Sequence, residues 1–138
     1  MLGYLDFLFL SYSGRIGRLP YWLGFLGLTV IQWTVIWLLL LLAHGSIEQL
    51  GMLQDGQTHV LPPSVGQDLM IHIGLPMLII TVLFLYPSYA LCTKRWHDRG
   101  KSGWWSLIAL VPLIGALWFF IELGFLGGED GANQYGVR

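Results

Sequence analysis

Cysteine and charge are both scarce in this chain. One cysteine, Cys92, stands among 138 residues, so an internal disulfide is excluded and no cysteine-based zinc or redox centre can form. Charged residues make up 11% of the chain, where a soluble domain carries about 25%. A hydrophobic fraction of 55% then leaves too little polar surface to cover a water-soluble particle of this size. The net charge of −1 lacks the basic excess of a nucleic-acid binder, so no nucleic-acid partner is expected. Gly100-Lys101-Ser102 has the ending of a phosphate-binding loop, but that motif needs a glycine where Arg95 stands. No nucleophile with a base and no metal-ligand set is legible either, so neither an enzyme nor a cofactor or metal site is expected.

What the chain does have is long apolar runs, and the lack of any Lys or Arg between Arg18 and Lys94 outlines them. Residues 21–43 hold no ionisable group beyond Tyr21, and residues 69–92 add only His72 in the ordinary titration range. Each run, at ~1.5 Å per residue, reaches ~34 Å and crosses a hydrocarbon core of about 30 Å. A third run, 104–126, carries one acid, Glu122. The reading is an all-α integral membrane protein, a single membrane domain over 1–138 with three transmembrane helices. Residues 2–13 are apolar but too short to span, and they predict an N-terminal interfacial helix. Glycines and prolines mark 44–68 as a loop, residues 93–103 form a basic loop, and 127–138 a tail.

Lys and Arg flank the first run (Arg15, Arg18) and lie between the second and third (Lys94, Arg95, Arg99, Lys101), while 44–68 has none. The positive-inside rule therefore puts the N-terminus and the 93–103 loop in the cytoplasm of a multi-pass protein, with 44–68 outside. Three crossings place the C-terminus outside. If the third run breaks at 112–115 into a re-entrant hairpin, the tail returns to the basic side instead, with limbs of about 12 and 16 Å; the full span is preferred here. Pro76, Pro87 and Pro112 each remove a helical N–H and free a carbonyl, at His72, Leu83 and Ile108.

The densest polar cluster is 94–105. Arg15, Arg18, Arg95, Arg99 and Lys101 supply charge for an anionic headgroup, Ser102 a cap for the third helix, and Trp104 and Trp105 depth anchors. The same cations also read as topological anchors. Asp98 reads as an internal partner of an arginine. His97 reads as a satisfied interfacial histidine or a proton-exchanging group. Within the bilayer Gln32, His72 and Glu122 are polar candidates, as packing partners or as the lining of an ion or proton path, with His72 and Glu122 able to face one another. The expected partners are anionic membrane lipids and a homo-oligomer or another membrane protein. The leading reading is an anionic-lipid or acidic-partner binding protein that organises the membrane; a homo-oligomeric channel or small transporter and a structural subunit of a membrane complex are the alternatives.

Four segments taken in order resemble a bacterial inner-membrane family, domain of unknown function 805, the YhaH-like proteins. They are Gly14-Arg15-Ile16-Gly17-Arg18 leading to Tyr21-Trp22, then residues 95–105, then Pro112-Leu113-Ile114-Gly115, and finally 128–136 with Asn133 and Tyr135. The resemblance implies a small inner-membrane protein of about three helices, and no particular activity. Trp96 departs from it, standing where such proteins often have Leu.

Overall fold

The computed structural model describes residues 2–52 and 63–137. They form α1 (Leu2–Phe9), α2 (Arg18–Met52), α3 (Pro63–Leu69), a π-helical turn (Met70–Gly74), α4 (Leu75–Asp98), a 3-10 segment (Gly103–Leu110) and α5 (Ile114–Gly124). No strand occurs among the described residues; one isolated bridge, Asn133 with Gly136, closes a turn in the tail.

Two helical stretches, Arg18–Ala43 and Gly66–Asp98, are long and apolar enough to cross a membrane, and α5 is a shorter apolar helix. The Arg18–Ala43 stretch of α2 has no distinct polar face. Pro20 lies in its first turn, where a missing N–H costs nothing. The helix does not stop at 43 but runs on to Met52, so the expected 44–68 loop is shorter, and its middle, 53–62, lies outside the described residues. Pro76 removes the N–H that would bond to His72, and the π-helical turn falls just before it: the Leu75 N–H reaches back to the Met70 carbonyl. A widened turn is one of the ways a helix accommodates an interrupted hydrogen-bond ladder.

α4 also outruns its expected end at 92. Lys94, Arg95, Trp96, His97 and Asp98 form its last turns rather than a loop, and all but His97 are buried. A membrane-facing apolar run ends where charge begins, but the helix continues because those charges find acceptors inside the protein.

The single helix expected over 104–126 does not form. The 3-10 segment ends at Val111, whose N–H bonds to the Ile108 carbonyl. Leu113 then takes φ 60 and ψ −64 with the Ile114 N–H on the Pro112 carbonyl at 2.7 Å, a γ-turn of the strained positive-φ kind. Gly115 follows, where a Cβ would collide with the Ile108 carbonyl oxygen. Proline without an N–H, a reversed residue and a glycine in close approach turn the chain back on itself. At ~2.0 Å per residue for the 3-10 limb and ~1.5 Å for α5, each limb reaches about 16 Å, half of a hydrocarbon core. The hairpin that was the lesser sequence expectation is the one observed, and the third full span is not.

By contacts the chain divides into two units, Met1–Thr29 with Phe84–Arg138, and Val30–Leu83. The core of the first gathers Leu8, Ile16, Tyr21, Leu91, Cys92, Trp96 and Leu123. Trp96 is fully buried and donates its indole N–H to Ser106 Oγ at 3.0 Å. In the second unit the helices keep most of their apolar side chains, Trp33, Trp37, Leu78 and Val82 among them, exposed.

Candidate functional site, the collar

Every helix leaves its last carbonyls without N–H partners and its C-terminal end partially negative. In the first unit the basic side chains go to those carbonyls. Lys94 Nζ donates to the carbonyls of Phe7, Leu8 (2.6 Å) and Ser11 (2.8 Å), closing the end of α1, and stands 4.8 Å from the centroid of the Phe7 ring. The end of α5 is closed by four side chains from elsewhere. Arg95 donates from Nε to Leu123 O at 2.8 Å and from Nη2 to Leu126 O. Trp22 Nε1 takes Gly124 O at 3.1 Å, Arg18 Nη1 takes Phe125 O at 3.2 Å, and Arg99 Nη1 takes Gly127 O.

Two acids complete the collar. Asp98 is fully buried and does pair, with two arginines: Oδ1 accepts from Arg15 Nη2 at 3.1 Å and Oδ2 from Arg95 Nη1 at 2.5 Å. Glu122 Oε1 accepts from Arg99 Nε at 3.0 Å and from Lys101 Nζ, and Lys101 also lies over the rings of Trp96 and Trp105. Burial alone pushes the Glu122 carboxyl up, but the hydrogen bond from Lys101 and the charges of Arg99 and Lys101 outweigh it and hold the group below its ordinary value. Glu122 was expected at the far end of a span opposite His72. The hairpin brings it back to the basic cluster, and its partners are Arg99 and Lys101.

The tail follows the hairpin back. The Glu129 N–H bonds to the Asp98 carbonyl at 2.8 Å, and Arg15 Nη1 and Nη2 hold the carbonyls of Gly131 and Glu129, both at 2.6 Å. Asn133 Nδ2 reaches His97 O at 2.9 Å. The Tyr135 ring stacks on His97 with centroids 3.8 Å apart and planes 5° apart. His97 donates from Nδ1 to the Gly14 carbonyl at 3.2 Å, a satisfied half-buried histidine. At Gly128 a Cβ would fall inside contact distance of the Asp98 carboxylate. The tail therefore packs against Arg15 and Asp98 within one unit.

The sequence-derived site thus comes together in part. Arg15, Arg95, His97, Asp98, Arg99, Lys101 and Glu122 meet in one network, with Arg18 at its edge. Ser102 caps as expected, but caps the 3-10 segment, accepting from the Trp104 N–H at 3.2 Å. Trp104 and Trp105 remain exposed, at 74% and 47%. Gln32 on α2 and His72 in the π-helical turn belong to the other unit. The residues that sequence reasoning passed over as site members are Lys94, Trp22 and Gly128. Lys94 stood in plain view within the basic cluster, but its acceptors are backbone carbonyls, which leave no mark in a sequence.

The chain matches the family described as protein of unknown function (DUF805) over residues 9–137. It is 35% identical over 63 residues to the inner membrane protein YhaH of Escherichia coli strain K12, covering 46% of this chain and 51% of that one. It is 41% identical over 63 residues to the inner membrane protein YhaI of the same strain, covering 45% and 51%. The chain thus matches about half the length of these two relatives. A longer match, 25% identical over 150 residues, covers 91% of this chain and 84% of the uncharacterized protein YiiR of that strain. No solved structure matches. With nearly its whole length matched, and with the 14–18, 95–105 and 128–136 segments that first suggested the likeness joined in one collar, this chain belongs to the DUF805 family.

Proposed function

We propose that the chain is a non-enzymatic inner-membrane protein that engages anionic lipid at a cytoplasmic collar and thereby organises the membrane around it. In this reading Arg18–Ala43 and Gly66–Asp98 span, the hairpin of the 3-10 segment and α5 enters one leaflet and returns, and both ends of the described chain face the cytoplasm. Two relatives that carry inner-membrane names, YhaH and YhaI, support the location, and the positions of the basic residues support the orientation.

The observation that carries the lipid reading is what the collar leaves over. Six cations (Arg15, Arg18, Lys94, Arg95, Arg99, Lys101) are gathered there with two buried carboxylates, Asp98 and Glu122. Most of the basic groups are spent on helix ends, so the wide basic patch expected from the sequence is reduced to what Arg18, Arg99 and Lys101 expose, with Lys101 over the ring of the exposed Trp105. Each exposed basic group near an anionic leaflet contributes at most about 1 kcal/mol, and tryptophans fix the depth. Native mass spectrometry of the detergent-released protein tests this. Retained phosphatidylglycerol in preference to phosphatidylcholine is the expected result; equal retention of both contradicts it. The channel alternative lacks the same support, because Glu122, one of its three proposed path residues, is committed to Arg99 and Lys101.

A further inference from the structure

We infer that the hairpin of the 3-10 segment and α5 is a wedge for one leaflet: it displaces acyl chains of the cytoplasmic leaflet alone, so that the protein favours membrane bent with that leaflet on the convex side. The inference rests on the topology proposed above and deepens the membrane-organising reading, with bilayer shape as what is organised. Two limbs of about 16 Å each end half-way through a hydrocarbon core of about 30 Å. Area added to one leaflet and not to the other is relieved by bending, which is why shallow insertions into a bilayer respond to its curvature.

The limbs carry the surface that such a wedge needs. Between Trp104 and Ile121 there is no charged residue, and the Ser106 hydroxyl is taken by the Trp96 indole N–H at 3.0 Å. Apolar exposure is greatest at the apex, where Leu110 is 78%, Leu113 86% and Ile114 74% exposed. A tip so exposed needs a cover, and its backbone suits a cover of hydrocarbon. A turn in lipid must satisfy its own polar groups. Pro112 has no N–H, and the N–H groups of Val111, Ile114 and Gly115 bond to the carbonyls of Ile108 (3.0 Å), Pro112 (2.7 Å) and Val111 (3.0 Å). An apex without charge, with these three donors spent inside the turn, matches acyl chains rather than a polar partner surface.

The collar fixes the base of the hairpin. Glu122 is held by Arg99 and Lys101, and the carbonyls 123–127 are closed by Arg95, Trp22, Arg18 and Arg99. With its charged base held among headgroups, the apex can go only as deep as the limbs are long. α1 adds to the same leaflet: Lys94 binds its last carbonyls, and Tyr4 and Leu5 are exposed. The other unit, Val30–Leu83, contains the remainder of the two long helices with α3 and the π-helical turn. Among its described residues no second hairpin enters the opposite leaflet in compensation.

The test uses the full chain in phosphatidylcholine vesicles, so that no anionic headgroup contributes. Ser13→Cys in a Cys92→Ser background, labelled from outside with a membrane-impermeant fluorescent maleimide, reports the molecules whose collar faces outward. Single-vesicle imaging then reads their number per membrane area against vesicle size. Density several-fold higher in small sonicated vesicles than in large extruded ones is the expected result. Adding Leu110→Gln, Leu113→Gln and Ile114→Gln should flatten that dependence with the melting temperature in detergent close to wild type, while Leu110→Met with Ile114→Leu should preserve it. Density independent of size with the native hairpin overturns the inference and leaves the headgroup reading, tested by phosphatidylglycerol retention, standing. A dependence that survives the triple variant also overturns it, since the hairpin is then not the source. A bimane on Leu113→Cys in the same background should be quenched more by lipid spin-labelled near the chain end than at the headgroup; the reverse overturns the wedge whatever the fold of the triple variant. Maleimide labelling of positions 13 and 130 from opposite faces overturns the inference and the topology together.

Discussion

Glu122 shows how far the role of a charged residue depends on its partners. Arg99 and Lys101 were first candidates for headgroup contact, yet both donate to one carboxylate oxygen of Glu122, whose side chain is 6% exposed. Removing both cations leaves that carboxylate desolvated and unpaired, a change on the order of 3 kcal/mol. The double variant Arg99→Gln, Lys101→Gln is therefore expected to unfold well below wild type in a thermal melt, and adding Glu122→Gln should restore most of the loss. A double variant as stable as wild type would show that the pair contributes nothing. The depressed Glu122 value fixes the sign of the pH dependence as well. Its contribution is complete above the ordinary carboxylate range and disappears as pH falls through the lower folded value, so the wild-type melting temperature should drop more steeply below about pH 4.5 than that of Glu122→Gln. At Gly128 the expected loss is steric: Gly128→Ala forces a methyl group against the buried Asp98 carboxylate. It should detach the tail, seen as faster proteolysis at 128–136, while Gly131→Ala, strained only by its φ of 76, should do so less.

At the scale of elements, the account depends on a hairpin where composition alone favours a span. Residues 104–126 are apolar enough to cross, and nothing in that composition distinguishes a continuous helix from two half-length limbs. What decides is local: Pro112 supplies no N–H, Leu113 holds φ 60 while 86% exposed, and Gly115 admits the Ile108 carbonyl. The turn costs strain of order 1–3 kcal/mol at Leu113. The hydrogen bonds of Val111, Ile114 and Gly115 at the apex and the capped carbonyls 123–127 offset it. Gly115→Ala should open the hairpin. The expected signs are a lower melting temperature and a changed tryptophan emission as Trp96 and Trp105, whose ring centroids lie 6.3 Å apart, separate. An unchanged melt would mean the limbs are held by the collar alone. The sequence pattern made the two long spans legible, because a charge-free run of the right length has few other uses. It made Asp98 legible as an arginine partner for a similar reason. It could not show where α4 ends or what the basic residues do, since Lys94, Arg95, Arg18 and Arg99 each donate to backbone carbonyls that any residue would present.

For the whole molecule the consequence is topological. Arg15 before α2, Asp98 at the end of α4, Glu122 at the end of α5 and the 128–136 tail are joined in one hydrogen-bonded network, and the proposed topology puts all four on the cytoplasmic side. Three full spans would separate the tail from Arg15 by a bilayer, and the collar would not exist. Asp130 is exposed in the tail, Ser13 is exposed before α2, and Gly56 lies between the two candidate spans. In a Cys92→Ser background, Asp130→Cys, Ser13→Cys and Gly56→Cys, treated in spheroplasts with a membrane-impermeant maleimide, give the most direct reading. The prediction is that the cysteine at 56 is labelled in intact spheroplasts, and those at 13 and 130 only after lysis. Labelling at 130 in intact spheroplasts, with 13 still protected, would contradict the hairpin and the collar together.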